Sequence, residues 1–131
     1  PDYIKYSDLH SFYRGVIAEH IVRQELMAID ATKNRKYAFW VREKKQSNAE
    51  VDILLQYKRD VIPVEVKAGK KGMLRSLHQF MNRVDHTYAI RLYAGELEIS
   101  NGVTAEGKSY RLLNLPYFLA GKIFDYLEWF I

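Results

Sequence analysis

Cysteine is absent from the chain, which removes disulfides, zinc–thiolate sites, iron–sulfur clusters and thiol nucleophiles together. Proline occurs only 3 times in 131 residues, so helices and central strands can run with few interruptions. No apolar run approaches the roughly 18–20 residues that a membrane span needs. No segment has the basic, apolar and small-residue succession of a secretory leader. A cytoplasmic location without membrane contact is therefore expected. Neither charge sign dominates: 20 Lys and Arg stand against 16 Asp and Glu, for a net charge of +4. With 48% apolar and 14% aromatic residues, the chain can bury a core, which excludes disorder and a simple coiled coil. One domain spanning residues 1–131 is expected. The opening residue is Pro1 rather than Met, so the chain is read as a piece of something longer.

The distribution of charge says more than its sum. Lys67, Lys70, Lys71, Arg75 and Arg83 follow one another with no acid between them. Lys33, Arg35, Lys36, Arg42, Lys44 and Lys45 stand against Glu43 alone. Either stretch fits a phosphate backbone, and either fits a solvated face.

Residues 7–28 space Leu9, Phe12, Val16, Ile17, Ile21, Leu26 and Met27 as a helix does. Within it, Phe12, Val16, Glu19, Val22 and Leu26 follow i+3/i+4 steps, which puts the Glu19 carboxylate in an apolar line. It can pair with Arg23 one turn later or take part in a site. Residues 37–42 are rich in β-formers. Residues 49–57 and 60–68 then alternate strictly, with Val51, Ile53 and Leu55 on one face of the first and Ile62, Val64 and Val66 on one face of the second. A tight turn centred between Lys58 and Arg59 pairs 55 with 62, 53 with 64 and 51 with 66.

That register sets Asp52 across from Glu65. Facing carboxylates repel unless a cation lies between them, and a divalent metal or Lys67 could supply it. A one-residue slip would relieve the pair only by turning the apolar side chains to the wrong face. After a glycine break at 69–72, residues 73–84 read as an amphipathic helix with Arg75, His78, Gln79, Asn82 and Arg83 outward. Strands follow at 87–93, 97–100 and 110–115, and a final helix runs from Pro116 to about Phe130. The order predicts an α/β or α+β fold with a central mixed sheet flanked by helices.

Glu19 on a helix, Asp52 in Glu50-Val-Asp52, and Glu65 and Lys67 in Pro63-Val-Glu-Val-Lys67 together resemble the PD-(D/E)XK phosphodiesterase superfamily. The runs Asn48-Ala-Glu-Val-Asp-Ile-Leu54 and Pro63-Val-Glu-Val-Lys-Ala-Gly69, with Trp40 upstream, look more narrowly like the domain of unknown function found C-terminal to AAA-type ATPases. The resemblance spans roughly residues 9–118 and implies a restriction-endonuclease-like core of order α-β-β-β-α-β. It implies catalytic roles for Glu19, Asp52, Glu65 and Lys67, and Mg²⁺ or Mn²⁺ held by Asp52, Glu65 and the Val66 carbonyl. Lys67 would orient the attacking water, and Glu19 would support the metal ligands. Lys70, Lys71, Arg75 and Arg83 would follow a DNA backbone by charge. The N-terminal ATPase domain of the same chain is an implied partner, and a second copy is another. Hard oxygen ligands suit such chemistry, because a divalent cation binds a non-bridging oxygen and lowers the cost of the attacking water.

Other readings remain beside this one. Glu65 and Lys67 also fit a surface ion pair; His78 and Gln79 fit a solvated face; Phe118, Phe124, Trp129 and Phe130 fit a core or an interface. A nuclease-like fold that no longer cuts, serving as a DNA- or protein-binding module, is the rival function. Gly102-Val-Thr-Ala-Glu-Gly-Lys-Ser109 matches the phosphate-loop pattern, but the strand expected at 110–115 and Pro116 stand where a nucleotide-binding helix should. It is read as a glycine turn between strands, with no nucleotide site in this chain.

Overall fold

The computed structural model describes residues 6–31, 38–41, 51–67 and 74–131. The first helix, α1 (Tyr6–Ala31), leads into strand β1 (Ala38–Val41), then β2 (Ile53–Tyr57) and β3 (Asp60–Val66). Helix α2 (Arg75–Met81) connects to β4 (Tyr88–Tyr93), followed by β5 (Glu98–Val103) and β6 (Ser109–Pro116). A 3₁₀ segment, η1 (Tyr117–Lys122), runs into α3 (Ile123–Phe130). The strands form one six-stranded sheet in the order β1-β2-β3-β4-β6-β5. Pairing is antiparallel from β1 to β3 and between β5 and β6, and parallel from β3 through β4 to β6. The domain is thus mixed α+β, as the sequence pattern predicts.

Period-two alternation divides the sheet into two faces. Ile53, Leu55, Ile62, Val64, Val66, Ile90, Leu92, Leu113 and Leu115 pack on one side with Ala18, Val22 and Leu26 of α1 and with Ala120, Ile123, Phe124, Leu127 and Phe130 of η1 and α3. On the other side Ala89, Tyr110 and Leu112 lie under Leu77 and Met81 of α2. The inward stripe of α1 is therefore Ala18-Val22-Leu26, not the line through Val16 and Glu19. Val16 and Ile17 are each 51% exposed, and Glu19 is exposed beside them. Small Ala18 lets the helix approach the core, a signal that a count of large apolar residues overlooks.

The β2–β3 register is as expected, with Ile53 opposite Val64 and Leu55 opposite Ile62 around a two-residue turn at Lys58 and Arg59. Lys58 takes φ +56°, as the first central position of a primed hairpin turn demands. The ladder ends at Ile53 and Val64, so 52–65 and 51–66 are not ladder pairs, and Val51, expected on the face of Ile53 and Leu55, packs instead against the cluster under α2.

Element boundaries also differ from expectation: α2 ends at Met81 rather than at 84. The final helix expected from Pro116 is divided into the 3₁₀ segment η1 and α3 from Ile123, and η1 packs so closely on α1 that a Cβ added at Gly121 would fall 2.4 Å from the Glu25 carboxylate. Strand β5 extends to Val103 rather than stopping at 100, since Gly102 pairs with Tyr110 and Val103 with Ser109. The Tyr110 ring lies over Gly102, where any Cβ would meet it at 2.3 Å, so the glycine continues the strand beneath an aromatic cover instead of breaking it.

Candidate functional site

Asp52 is one residue before β2, and its side chain reaches across to β3: Val66 N–H donates to Asp52 Oδ2 at 2.9 Å. The carboxylate stands where a further ladder carbonyl would be. Beside the cation expected to relieve the facing carboxylates, the structure supplies a backbone donor that holds one oxygen of Asp52. A strand residue's carbonyl and N–H point to the same side, so the Val66 carbonyl also faces the β2 side, beyond the last β2–β3 pair. Asp52, Glu65, Val66 and Lys67 are thereby gathered at the end of one hairpin.

Glu65 is only 6% exposed, which removes the surface-pair reading. Lys67 is half-buried, and its N–H donates to the Leu92 carbonyl at 2.8 Å, extending the hold of β3 on β4. Because Val64 and Val66 point toward α1, Glu65 and Lys67 occupy the α2 side of the sheet.

Two residues not singled out from the sequence complete this row. Glu65 is the register partner of Arg91, and Arg91 is the partner of Asn114. Opposite charges therefore stand on adjacent strands, at the sheet spacing of about 4.8 Å. Arg91 Nε donates to Asn114 Oδ1 at 2.8 Å, and the guanidinium carbon lies 4.5 Å from the centre of the Tyr93 ring. The Tyr93 hydroxyl donates to the Glu96 carbonyl at 2.5 Å. Asn114, 1% exposed, is itself fixed through Nδ2, which donates to the Glu98 carbonyl at 3.1 Å and to Ser100 Oγ at 2.9 Å. A side-chain amide with donors and acceptor all engaged cannot turn, so it sets the plane of Arg91. The row lies toward the carboxyl ends of three parallel strands, where open sheets of this kind place ligands. The sequence signal was available: Arg91 and Asn114 are the lone strongly polar residues in Tyr88-Ala-Ile-Arg-Leu-Tyr93 and Leu112-Leu-Asn-Leu115.

The donors at this place are oxygen atoms, a set matched to Mg²⁺ or Mn²⁺ rather than to thiolate- or imidazole-seeking metals. Among the described residues no three His, Cys, Asp or Glu side chains form a metal-holding group. Two carboxylates and a carbonyl are a donor set of the kind Mg²⁺ takes, since it commonly keeps several waters and only one or two carboxylates. Glu19 does not join them: it is exposed on α1, and α1 packs on the opposite face of the sheet. Arg75 and Arg83 are exposed at α2 and just after it. Lys70, Lys71 and the basic residues from Lys33 to Lys45 lie outside the described residues, as does the Trp40 side chain.

His78, expected on a solvated face, instead meets the buried Tyr110: its Nε2 is 3.0 Å from the hydroxyl, with the rings edge to face. Burial raises the Tyr110 pKa, and the positive charge of Arg91 acts in the opposite direction.

The phosphate-loop pattern is accounted for residue by residue. Gly102 lies beneath Tyr110, and Gly107 takes φ +90° in the β5–β6 turn, donating to the Thr104 carbonyl at 2.9 Å. Lys108 Nζ donates to the Met81 carbonyl at 2.7 Å and to the Val84 carbonyl, capping the end of α2. Ser109 begins β6. The turn between strands is as expected, and its lysine is occupied by a helix end.

No helix among the described residues is long and apolar enough to cross a membrane. No curated protein and no solved structure matches the chain. A family model described as "Domain of unknown function (DUF4143)" matches residues 14–115, which takes in the α1 stripe, the Asp52–Val66 junction, Arg91 and Asn114. The chain belongs to the DUF4143 family.

Proposed function

We propose that this chain is a restriction-endonuclease-like domain that binds Mg²⁺ or Mn²⁺ through Asp52, Glu65 and the Val66 carbonyl and hydrolyses phosphodiester bonds in DNA, as the C-terminal module of an AAA-type ATPase. The observation that carries this reading is the hydrogen bond from Val66 N–H to Asp52 Oδ2: it draws the separate Asp and the Glu-x-Lys run into one place. When bound, the cation would polarise a non-bridging phosphate oxygen and lower the pKa of its water. Burial of Glu65 limits competition by solvent, and half-buried Lys67, two residues on and on the same face, would orient the attacking water. Exposed Arg75 and Arg83 would contact the DNA backbone without reading bases.

Calorimetric titration with Mn²⁺ of the wild type and Glu65→Ala tests the site, followed by cleavage of plasmid DNA. Binding and cleavage by the wild type, both lost in the variant, are the expected result. Failure of the wild type to bind would favour a nuclease-like module that does not cut and serves in DNA or protein binding. One observation supports that second reading: the register partner of Glu65 on β4 is a cationic residue, Arg91.

A further inference from the structure

Arg91 is the register partner of Glu65, with its Nε on Asn114 at 2.8 Å and its guanidinium over Tyr93 at 4.5 Å. Asn114 is in turn locked by Glu98 and Ser100. Gly95 allows the Tyr93 ring to settle where an added Cβ would come within 2.4 Å of it. This is more support than a charge-neutralising surface arginine receives. It fixes a planar group on β4, the strand next to the one that carries the buried Glu65.

Resting on the metal-site reading above, we infer that Arg91 is both the resident counter-ion of Glu65 and the contact for a phosphodiester, so that divalent cation and phosphodiester bind cooperatively. The chemistry follows from two competitions. A guanidinium offers the same pair of donors to a carboxylate and to a phosphate. A divalent cation and Arg91 both seek the Glu65 carboxylate. A phosphodiester that engages Arg91 therefore releases Glu65 toward the metal, and by linkage the metal promotes phosphodiester binding by the same factor. Arg91 has a positioning role toward Glu65 and a contact role toward the substrate. The site is thereby biased against taking up metal until an anionic substrate is present.

Calorimetry with Mn²⁺ on the whole chain, with and without diethyl phosphate as a phosphodiester that binds metal weakly, tests this coupling. The wild type is expected to gain about tenfold in Mn²⁺ affinity when the phosphodiester is present, within the usual range for linked sites. Arg91→Met is expected to bind Mn²⁺ as tightly without the phosphodiester as the wild type does with it. Arg91→Lys keeps a cation beside Glu65, guards against failure of the Met variant to fold, and is expected to show weaker coupling. Equal Mn²⁺ affinity of the wild type in both conditions would overturn the inference and leave the metal site standing. Wild-type coupling preserved in Arg91→Lys would overturn the role of the guanidinium. Absence of Mn²⁺ binding in all proteins and conditions would overturn the metal-site reading and this inference with it.

Discussion

The Asp52 carboxylate accepts the backbone N–H of Val66 at 2.9 Å, across a sequence separation of 14 residues. A repelling acid pair would make Asp52→Asn stabilising in the absence of metal; the observed bond gives the opposite sign for loss of the side chain. Asp52→Ala strands the Val66 N–H and is expected to cost about 1–3 kcal/mol, while Asp52→Asn retains an acceptor and loses less. Urea denaturation of the three proteins without metal decides the matter, and an Ala variant as stable as the wild type would contradict it.

Tyr110 gives a pH dependence. Burial raises its pKa from the ordinary 10.0, opposed by Arg91, so the folded protein holds this proton more tightly than the unfolded chain does. The stabilisation is fully present below the unfolded value and is lost as pH rises through the folded one. Stability of the wild type is expected to fall more steeply above pH 10.0 than that of Tyr110→Phe. Parallel stability curves over that window would remove the assigned burial effect.

Gly102→Ala is expected to destabilise by about 1–3 kcal/mol, the range for overpacking against a fixed neighbour. Its new Cβ would lie 2.3 Å from the Tyr110 ring. In Tyr110→Leu the same glycine substitution should cost much less, since the ring is gone. A double-mutant cycle measures this coupling, and additive effects would deny the contact.

Lys108→Met should lower stability by about 1–2 kcal/mol, because the carbonyls of Met81 and Val84 lose their charged donor. Adding ATP at a fixed Mg²⁺ concentration should leave the melting temperature of this chain where Mg²⁺ alone sets it. An ATP-dependent rise that disappears in Lys108→Met would instead establish a phosphate loop.

Charge reversal at Arg75 and Arg83, both exposed, should weaken DNA binding and make its salt dependence shallower by roughly one unit per lost phosphate contact. Fluorescence anisotropy across a salt series measures the slope; an unchanged slope would return these residues to a solvated face.

Legibility in the sequence followed periodicity. Ile53, Leu55, Ile62, Val64 and Val66 alternate cleanly, and that alternation predicts both the hairpin and its register. It leads directly to the neighbourhood of Asp52 and Glu65. What alternation cannot encode is the end of a ladder, so the bond from Val66 to Asp52 was hidden. Arg91 and Asn114 stand out as single polar residues in apolar strands, but their alignment with Glu65 rests on non-local parallel pairing, which no short window contains. Glu19 was misplaced because Ala18 carries the inward stripe, and helical spacing alone assigns too little weight to a small side chain. Gly102 reads as part of a turn in the sequence, because the ring that covers it in the strand, Tyr110, comes from the following strand.

The shared core of α1, η1 and α3 bears on how the domain comes into being. Ala18, Val22 and Leu26 wait on Ala120, Ile123, Phe124, Leu127 and Phe130, so α1 leaving the ribosome meets its final companions only after α3 has been made. Closure of such distant partners is a slow step relative to local helix formation. The stretch matched by the family, residues 14–115, omits those late companions. Expressed by itself, that stretch would present the α1 side of the sheet as a sticky surface to chaperones and to other nascent chains.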